Sequence, residues 1–330
     1  MSNQTATREG TGGRFVRQDS RFRDRITLDG GSGFPAEAGR YHLYVSLACP
    51  WAHRAIILRR LKGLEHAIGM TIVDPIRDDR GWRFTSELPD PVNGWDFLSE
   101  GYDATDPDFE GRVSVPVLWD TETGRIVNNE SADVIEMLDE SFQAHARHPD
   151  RVYAPLDLRE EMAELNDRVY ETLNNGVYRA GFATSQEAYE EAVFPLFETL
   201  DTLDERLAGQ RYLMGERQTL ADWRLFTTLL RFDTVYYSHF MCNLRRIADY
   251  PSLQPYLRDL FQVPGVAETV DWDHIKRHYY GTHKSINPTG IIPAGPVLDL
   301  AAPHGRGSPR RPWRSPRTAT ASTASSSTAS

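Results

Sequence analysis

Cysteine is scarce in this 330-residue sequence, and long apolar segments are missing from it. Its two cysteines, Cys49 and Cys242, are too few for a disulfide framework or a cysteine-rich metal site, which favours a reducing, cytoplasmic setting. No apolar run approaches the ~18 residues that a membrane-spanning helix needs. Residues 1–25 are polar and lack the apolar core of a secretory signal, so we expect none.

Positive charge is also in short supply. There are 37 lysines and arginines against 47 aspartates and glutamates, which gives a net charge of −10 and argues against a general nucleic-acid binder. The histidines show no metal-ligand spacing, and neither a phosphate-binding glycine loop nor a nicotinamide fingerprint occurs. The chain is, however, 40% hydrophobic and 11% aromatic, which is enough for a sizeable core.

Four regions of the chain differ in pattern. Residues 1–38 show no periodicity and are predicted to form an arm. Residues 39–145 carry alternating strand and helix signals, and residues 155–300 are helical in pattern. Residues 301–330 contain five arginines, no carboxylate and a low-complexity Thr-Ala-Ser ending, which predicts a disordered tail. The sequence therefore predicts two folded domains between an arm and a tail.

The first predicted domain alternates strands and helices. A helix that connects two neighbouring strands makes them parallel in most proteins. The stretch 74–111 is too long for an ordinary connection, and ordered loops of that length tend to be functional. In chain order, the expected elements are a strand at 41–46, a helix at 51–62 that ends at Gly63, a strand at 68–73, strands at 113–119 and 125–128, and a helix at 131–140.

The second predicted domain is entirely helical. Apolar residues between 158 and 177 recur at spacings of three and four, which places them on one helix face. Residues 184–187 have the pattern of a capping box and open a second helix, and residues 219–222 open a third, with Asp222 as a structural cap. Further helices are expected at 253–261 and 270–278.

Cys49 lies between a predicted strand and Pro50, where a helix begins. Free backbone N–H groups and the helix dipole stabilise a thiolate at such a position. The residue three places on is Ala52, so no second cysteine can close an internal disulfide, and turnover would need an external thiol. The alternative is that Cys49 is merely a small buried apolar residue. Cys242 falls in a helical run and is expected to be buried and inert.

The string Cys-Pro-Trp-Ala-His-Arg at 49–54 resembles the motif of the glutathionyl-hydroquinone reductases, the xi class of the glutathione transferase superfamily. The resemblance runs from about Phe15 to Leu298, but the arginine-serine tail does not share it. It implies the glutathione transferase fold, an α/β thioredoxin-like N-terminal domain followed by an all-α C-terminal domain. The other segments that carry it are residues 81–84, 113–120, 128–131, 175–182, 279–280 and 286–288.

The resemblance implies roles for residues of the first domain. Cys49 would be the nucleophile, and Trp82 would cover the bound glutathione, although it could instead be a core aromatic that pins the long loop. Val115 would precede a cis proline, Pro116, and turn its backbone toward the cysteinyl part of glutathione. The alternative for Pro116 is an ordinary edge-strand proline.

Further roles fall on a helix start and on the second domain. Glu130 and Ser131 resemble the pair that holds the γ-glutamyl end of glutathione, and they are also suited to capping the helix that follows. Tyr178 and Tyr279 resemble tyrosines that reach the aromatic substrate and deliver a proton. Tyr280 is a possible substrate contact instead, because adjacent helical residues point about 100° apart.

The activity implied by the resemblance is the reduction of S-glutathionyl-hydroquinones to hydroquinones. A mixed disulfide between Cys49 and glutathione would form, and oxidised glutathione would leave. Glutathione would be the co-substrate, without metal, nicotinamide or flavin, and the protein would be a homodimer. Two alternatives remain open, an omega-like thioltransferase or dehydroascorbate reductase and a non-catalytic glutathione-binding protein.

Overall fold

The computed structural model describes residues 12–306 of the chain. Residues 1–11 of the predicted arm and residues 307–330 of the predicted tail lie outside the described residues. The strands are β1 (Tyr41–Val45), β2 (Ile68–Ile72), β3 (Val117–Asp120) and β4 (Arg125–Asn128). The α-helices are α1 (Pro50–Lys62), α2 (Ser99–Thr105), α3 (Ser131–Glu140), α4 (Arg159–Val169), α5 (Gly176–Gly181), α6 (Gln186–Gly209), α7 (Leu220–Arg231), α8 (Leu253–Phe261) and α9 (Trp272–Thr282).

The four strands form one mixed sheet in the order β2-β1-β3-β4. Strand β1 is parallel to β2 and antiparallel to β3, so that Tyr41 pairs with Ile68 on one side and with Asp120 on the other. Strand β4 returns antiparallel to β3. The predicted βαβ unit and hairpin are confirmed, and all residues of β1 are buried, as expected of a central strand.

Helix α1 begins and ends where local signals predict. Pro50 occupies its first position, directly after Cys49 in extended backbone. Gly63 ends the helix in the left-handed conformation, with φ of 66°, and its N–H bonds to the carbonyl oxygen of Arg60. A side chain at position 63 would be strained by that φ and would also meet Arg147.

The helical domain departs from the sequence prediction in three places. Cys242 is buried as expected, but it lies in irregular backbone after the π-helical turn Phe232–Tyr236 rather than in a helical run. The single helix face predicted over 158–177 is interrupted, because α4 ends at Val169 and a π-helical turn, Tyr170–Asn174, precedes α5. The start of α6 is capped by Ser185, whose hydroxyl accepts from the Ala188 N–H, one residue later than the predicted box places it. The cap predicted at residues 219–222 is confirmed, since Thr219 and Asp222 form a capping box at the start of α7.

The N-terminal arm bridges the two domains. On the helical side, Arg14 forms an ion pair with Glu191 of α6. On the other side, Arg23 pairs with Asp133 of α3, and the Phe22 N–H donates to the Asn129 side chain. The arm therefore contacts both domains, and its residues 15–20 line the same cavity as Cys49.

The last described residues lie against the helical domain. The Arg306 guanidinium donates to the carbonyl oxygens of Leu207, Gln210 and Arg211, where α6 ends. Orphan carbonyls at a helix C-terminus are satisfied in this way by a basic side chain. Among residues 12–306, no helix combines the length and the apolar character needed to cross a membrane.

Candidate active site

A cavity of about 330 Å³ lies between the two domains, under the arm. It brings together five of the residues singled out from the sequence, which are Cys49, Trp82, Val115, Tyr178 and Tyr279. In the same order, they lie in the turn before α1, the long loop, the segment before β3, α5 and α9. The cavity is thus built by both domains.

The nucleophile candidate occupies the turn from β1 into α1. Cys49 is half-buried, and its thiol donates to the carbonyl oxygen of Val115 over 3.6 Å. The Val115–Pro116 peptide bond is cis, as the resemblance implies. The first turn of α1 carries no side-chain cap, so its backbone N–H groups remain available to an anion beside the sulfur.

Three buried guanidinium groups contribute to the electrostatic environment of Cys49. Arg54, Arg77 and Arg112 lie close enough for their charges to interact with Cys49. Burial lowers the pKa of Arg54 and of Arg77 to about 9, so both remain largely charged at neutral pH. Burial, followed by the charge of Arg17, also lowers the pKa of Arg112. Of these three arginines, Arg112 lines the cavity, where it suits a ligand with carboxylates. Neither Arg77 nor Arg112 emerged from the sequence, because no periodic pattern marks them.

Glu130 and Ser131 lie behind the cavity wall rather than on it. The Glu130 carboxylate accepts from the Ala132 N–H at the start of α3 and from the Ser20 hydroxyl, at 3.1 and 2.8 Å. The Ser131 hydroxyl is buried and accepts from Arg54 at 3.3 Å. The wall in front of them is formed by Ser20 and Asn129. Glu130 therefore caps the N-terminus of α3.

Trp82 faces the cavity from the long loop. Its ring stacks on His278 of α9, with centroids 4.9 Å apart. Burial lowers the pKa of His278 to about 3, so the imidazole is neutral, and its Nδ1–H donates to the Pro75 carbonyl. Trp82 thus packs the loop against the helical domain and lines the cavity at the same time.

Three phenols of the helical domain meet at the cavity, and two of them, Tyr178 and Tyr279, line it. The Tyr178 and Tyr279 hydroxyl oxygens are 2.6 Å apart, and the Tyr236 hydroxyl lies 3.1 Å from that of Tyr279. Burial raises the pKa of all three phenols, so they stay protonated and can donate. Tyr236 was not singled out from the sequence, where it is one of several aromatics in a helical run.

The adjacent tyrosines of α9 point in different directions. Tyr279 lines the cavity, whereas the Tyr280 hydroxyl bonds to Ser238 and donates to the Thr234 carbonyl, at 2.5 and 3.0 Å. Tyr280 is not part of the cavity wall. Of the two positions that the sequence left open, the structure therefore places Tyr279 at the site.

The arm supplies a wall that the sequence did not predict. Arg17 lies over the rings of Trp51 and Tyr178, with its guanidinium carbon 4.9 and 4.7 Å from their centroids. Its Nε donates to the Asn175 side chain at 2.7 Å. Phe15 continues this wall by packing against Phe182. An arm without periodicity gives no signal that its side chains line a site.

A thioredoxin-like domain and a helical domain that share one cavity define a glutathione transferase, and both halves match that family. Residues 48–141 match the family model "Glutathione S-transferase, N-terminal domain", and residues 186–259 match the corresponding C-terminal domain. The chain is 51% identical to glutathionyl-hydroquinone reductase PcpF of Sphingobium chlorophenolicum, over 88% of this chain and 93% of the relative. It is also 51% identical to glutathionyl-hydroquinone reductase YqjG of Escherichia coli, over 90% and 94%.

Solved structures agree with these relatives. The glutathione-bound structure of YqjG superimposes with a TM-score of 0.84 over 86% of this chain and 96% of that one. A xi-class glutathione transferase from Natrialba magadii, 50% identical, gives 0.85 over 89% and 95%. The chain belongs to the xi class of the glutathione transferase family, the group of the glutathionyl-hydroquinone reductases.

Proposed function

We propose that this protein reduces S-glutathionyl-hydroquinones to hydroquinones, with glutathione as the reductant. The observation that carries the proposal is the meeting of one thiol, at a helix N-terminus, with hydrogen-bonded phenols in a single cavity. The names of the relatives PcpF and YqjG point to the same activity. The thiol supplies a nucleophile, and the phenols supply a proton donor for the aromatic leaving group.

Glutathione binding is assigned to the wall nearest the sheet. The Val115 backbone would pair with the cysteinyl part, and the γ-glutamyl carboxylate would lie at the N-terminus of α3, beside Glu130 and Ser131. Trp82 would cover the peptide. Arg112 has no side-chain hydrogen bond or ion pair within residues 12–306, so it is free to take a carboxylate of the ligand.

The first half-reaction transfers glutathione to the enzyme. The Cys49 thiolate attacks the thioether sulfur, forming a disulfide between Cys49 and glutathione. The bond between that sulfur and the aromatic carbon breaks, and its electron pair stays on the carbon. The carbon takes a proton from the Tyr178–Tyr279 pair, which yields the free hydroquinone.

The second half-reaction restores the enzyme. A second glutathione attacks the mixed disulfide, and its thiol proton replaces the proton lost by the phenol. Oxidised glutathione leaves, and Cys49 returns to the thiolate. In total, one conjugate and one glutathione become one hydroquinone and one oxidised glutathione. The two sulfurs are oxidised, and the ring carbon is reduced.

Two alternatives make different use of the same cavity. An omega-like thioltransferase or dehydroascorbate reductase needs the thiol but has no use for a proton donor to an aromatic carbon, so the Tyr178–Tyr279 pair disfavours it. A non-catalytic glutathione-binding protein has no use for a partly exposed thiol beside the glutathione site, as Cys49 is.

The proposal is tested with glutathionyl-menadiol and excess glutathione, while menadiol and oxidised glutathione are quantified by chromatography. We expect release of the two products in a one-to-one ratio, complete loss in Cys49→Ala and full retention in the matched variant Cys242→Ala. Activity on hydroxyethyl disulfide without menadiol release would establish the thioltransferase alternative instead. Glutathione binding without turnover of either substrate would establish the non-catalytic one.

We also propose a cytoplasmic homodimer with folded domains at 39–145 and 155–300. Free thiols and a dependence on glutathione support a reducing compartment. The sheet and helices α1–α3 lie within the first range, and helices α4–α9 lie within the second. Light scattering after size-exclusion chromatography tests the dimer, and limited proteolysis tests whether cleavage falls between 145 and 155.

A further inference from the structure

The Arg17 guanidinium occupies an unusual position in the cavity wall. It lies against the faces of Trp51, in α1, and Tyr178, in α5, where the two domains meet at the cavity. One of its nitrogens, Nε, donates to the neutral side chain of Asn175. Another, Nη2, is buried and has no hydrogen-bond partner within the described part of the chain. A buried donor without a partner costs free energy unless a ligand satisfies it.

The charge of Arg17 is also uncompensated. Within residues 12–306 it forms no ion pair, in contrast to its neighbours in the arm, Arg14, Arg21 and Arg23. Asp19 is the one carboxylate among the cavity-lining residues, and it is exposed. The second cation on the cavity, Arg112, adds like charge, since the charge of Arg17 contributes to the lowered pKa of Arg112.

The phenols of this cavity are available as donors. Tyr178 and Tyr279 are protonated phenols, because burial raises the pKa of each. The rest of this wall is aromatic, with Phe15 packed on Phe182. An aromatic ring that enters here with an anionic oxygen substituent would find apolar faces for the ring and charge-assisted donors for the oxygen.

We propose that Arg17 forms an anion subsite for the aromatic half of the substrate and makes the enzyme prefer conjugates whose ring carries a carboxylate or a comparable anionic oxygen group. The subsite rests on the proposed function, because it assumes that the aromatic half lies on the helical side of the cavity. Arg17 acts on affinity and specificity, and the chemistry at sulfur does not involve it.

The first test compares two ring probes that differ only in the carboxylate, 2,5-dihydroxybenzoate and hydroquinone. Binding is followed by the fluorescence of the tryptophans, since Trp51 is in contact with Arg17. We expect the benzoate to bind the native protein about 10- to 100-fold more tightly, and to lose much of that advantage at high salt. Equal affinities for the two probes would overturn the proposal whether or not the protein turns over any conjugate.

The second test uses the glutathione conjugates of the same two rings. In Arg17→Gln, we expect kcat/KM to fall about tenfold more for the carboxylated conjugate than for the neutral one. Arg17→Lys keeps the charge without the planar fork and should retain part of the preference. Arg21→Gln, an exposed arginine of the same arm that pairs with Asp106, is the matched control and should keep both values.

The outcomes separate the possible roles of Arg17. An equal loss on both conjugates would mean that Arg17 only supports the packing of Trp51 and Tyr178. A raised KM for glutathione on hydroxyethyl disulfide would mean that it binds the peptide instead. Either result contradicts the subsite. If the native enzyme turns over neither conjugate, the proposed function is contradicted, and the subsite is then tested by the affinities of the two ring probes alone.

Discussion

The Nε of Arg231 donates to the carbonyl oxygen of Ala48, 2.8 Å away, at the residue before Cys49. The same guanidinium donates to the Leu47 carbonyl at 3.0 Å and to the ring of His53 at 3.1 Å. Arg231 ends α7 in the helical domain and is fully buried. The turn that presents the thiol is therefore held by a residue of the other domain.

Replacing Arg231 by methionine should disturb both stability and the thiol. The Leu47 and Ala48 carbonyls would lose their donor, which we expect to lower the free energy of unfolding by about 2–3 kcal/mol. The rate of Cys49 alkylation by iodoacetamide should change as well. Arg217→Met, which breaks an exposed ion pair with Asp157, is the control and should cost less than about 1 kcal/mol in urea unfolding. Native alkylation kinetics in Arg231→Met would contradict the role.

The two adjacent tyrosines of α9 provide a matched pair of variants. Tyr279→Phe removes the hydroxyl that joins Tyr178 to Tyr236, so we expect kcat on glutathionyl-menadiol to fall by about 100-fold. Exchange with hydroxyethyl disulfide, whose leaving group is a thiolate, should fall far less. Tyr280→Phe loses bonds outside the cavity and should keep kcat on both substrates. Equal effects of the two variants would show that the phenols serve packing alone.

Buried neutral histidines should make the fold sensitive to acid. Burial lowers the pKa of His239 to about 4 and that of His278 to about 3. The unfolded chain takes up protons near pH 6.5 and the folded chain does not, so stability is complete above that pH and falls as the pH drops toward 4. Each such histidine contributes a slope of about 1.4 kcal/mol per pH unit.

Urea unfolding between pH 4.5 and 7.5 measures this slope. In His239→Gln, the slope of the unfolding free energy against pH should decrease by about 1.4 kcal/mol per pH unit. The variant lacks one group that is protonated in the unfolded chain and neutral in the folded chain. An unchanged slope would show that His239 titrates alike in the folded and unfolded chains.

Gly181 should be intolerant of a side chain. A Cβ there would lie 2.2 Å from the Phe240 ring, which packs against Tyr178 at the cavity wall. We expect Gly181→Ala to cost about 1–3 kcal/mol and to raise KM for the aromatic conjugate. Gly209→Ala, with open space around it in α6, should be neutral or slightly stabilising. Equal melting temperatures for the two variants would contradict this account.

Local signals in the sequence were sufficient for much of the fold. Pro50 and Gly63 mark the ends of α1, and the alternation of strands and helices predicts the parallel pair and the hairpin. The π turn after Val169 escaped prediction because an inserted residue leaves apolar side chains at spacings of three and four. Such spacing is compatible with a continuous α-helix.

The site was predictable only where a motif carried it. Cys49 and Val115 belong to short contiguous patterns, whereas Arg17 and Arg112 come from separate irregular segments that only the fold brings together. The choice between Tyr279 and Tyr280 depends on what α9 packs against, and no spacing within the helix contains that information.

The lack of a second reactive cysteine beside Cys49 also determines how peroxide would oxidise the enzyme. Cys242, the other cysteine, is fully buried, and burial raises the pKa of its thiol, so it is no resolving partner. Peroxide would convert Cys49 to a sulfenic acid, and glutathione would condense with that acid to give water and the mixed disulfide formed in catalysis. An oxidised molecule would thus re-enter the cycle at its midpoint. Where glutathione runs out, oxidation would proceed to the irreversible sulfinic acid, so the pool that feeds the enzyme also protects it.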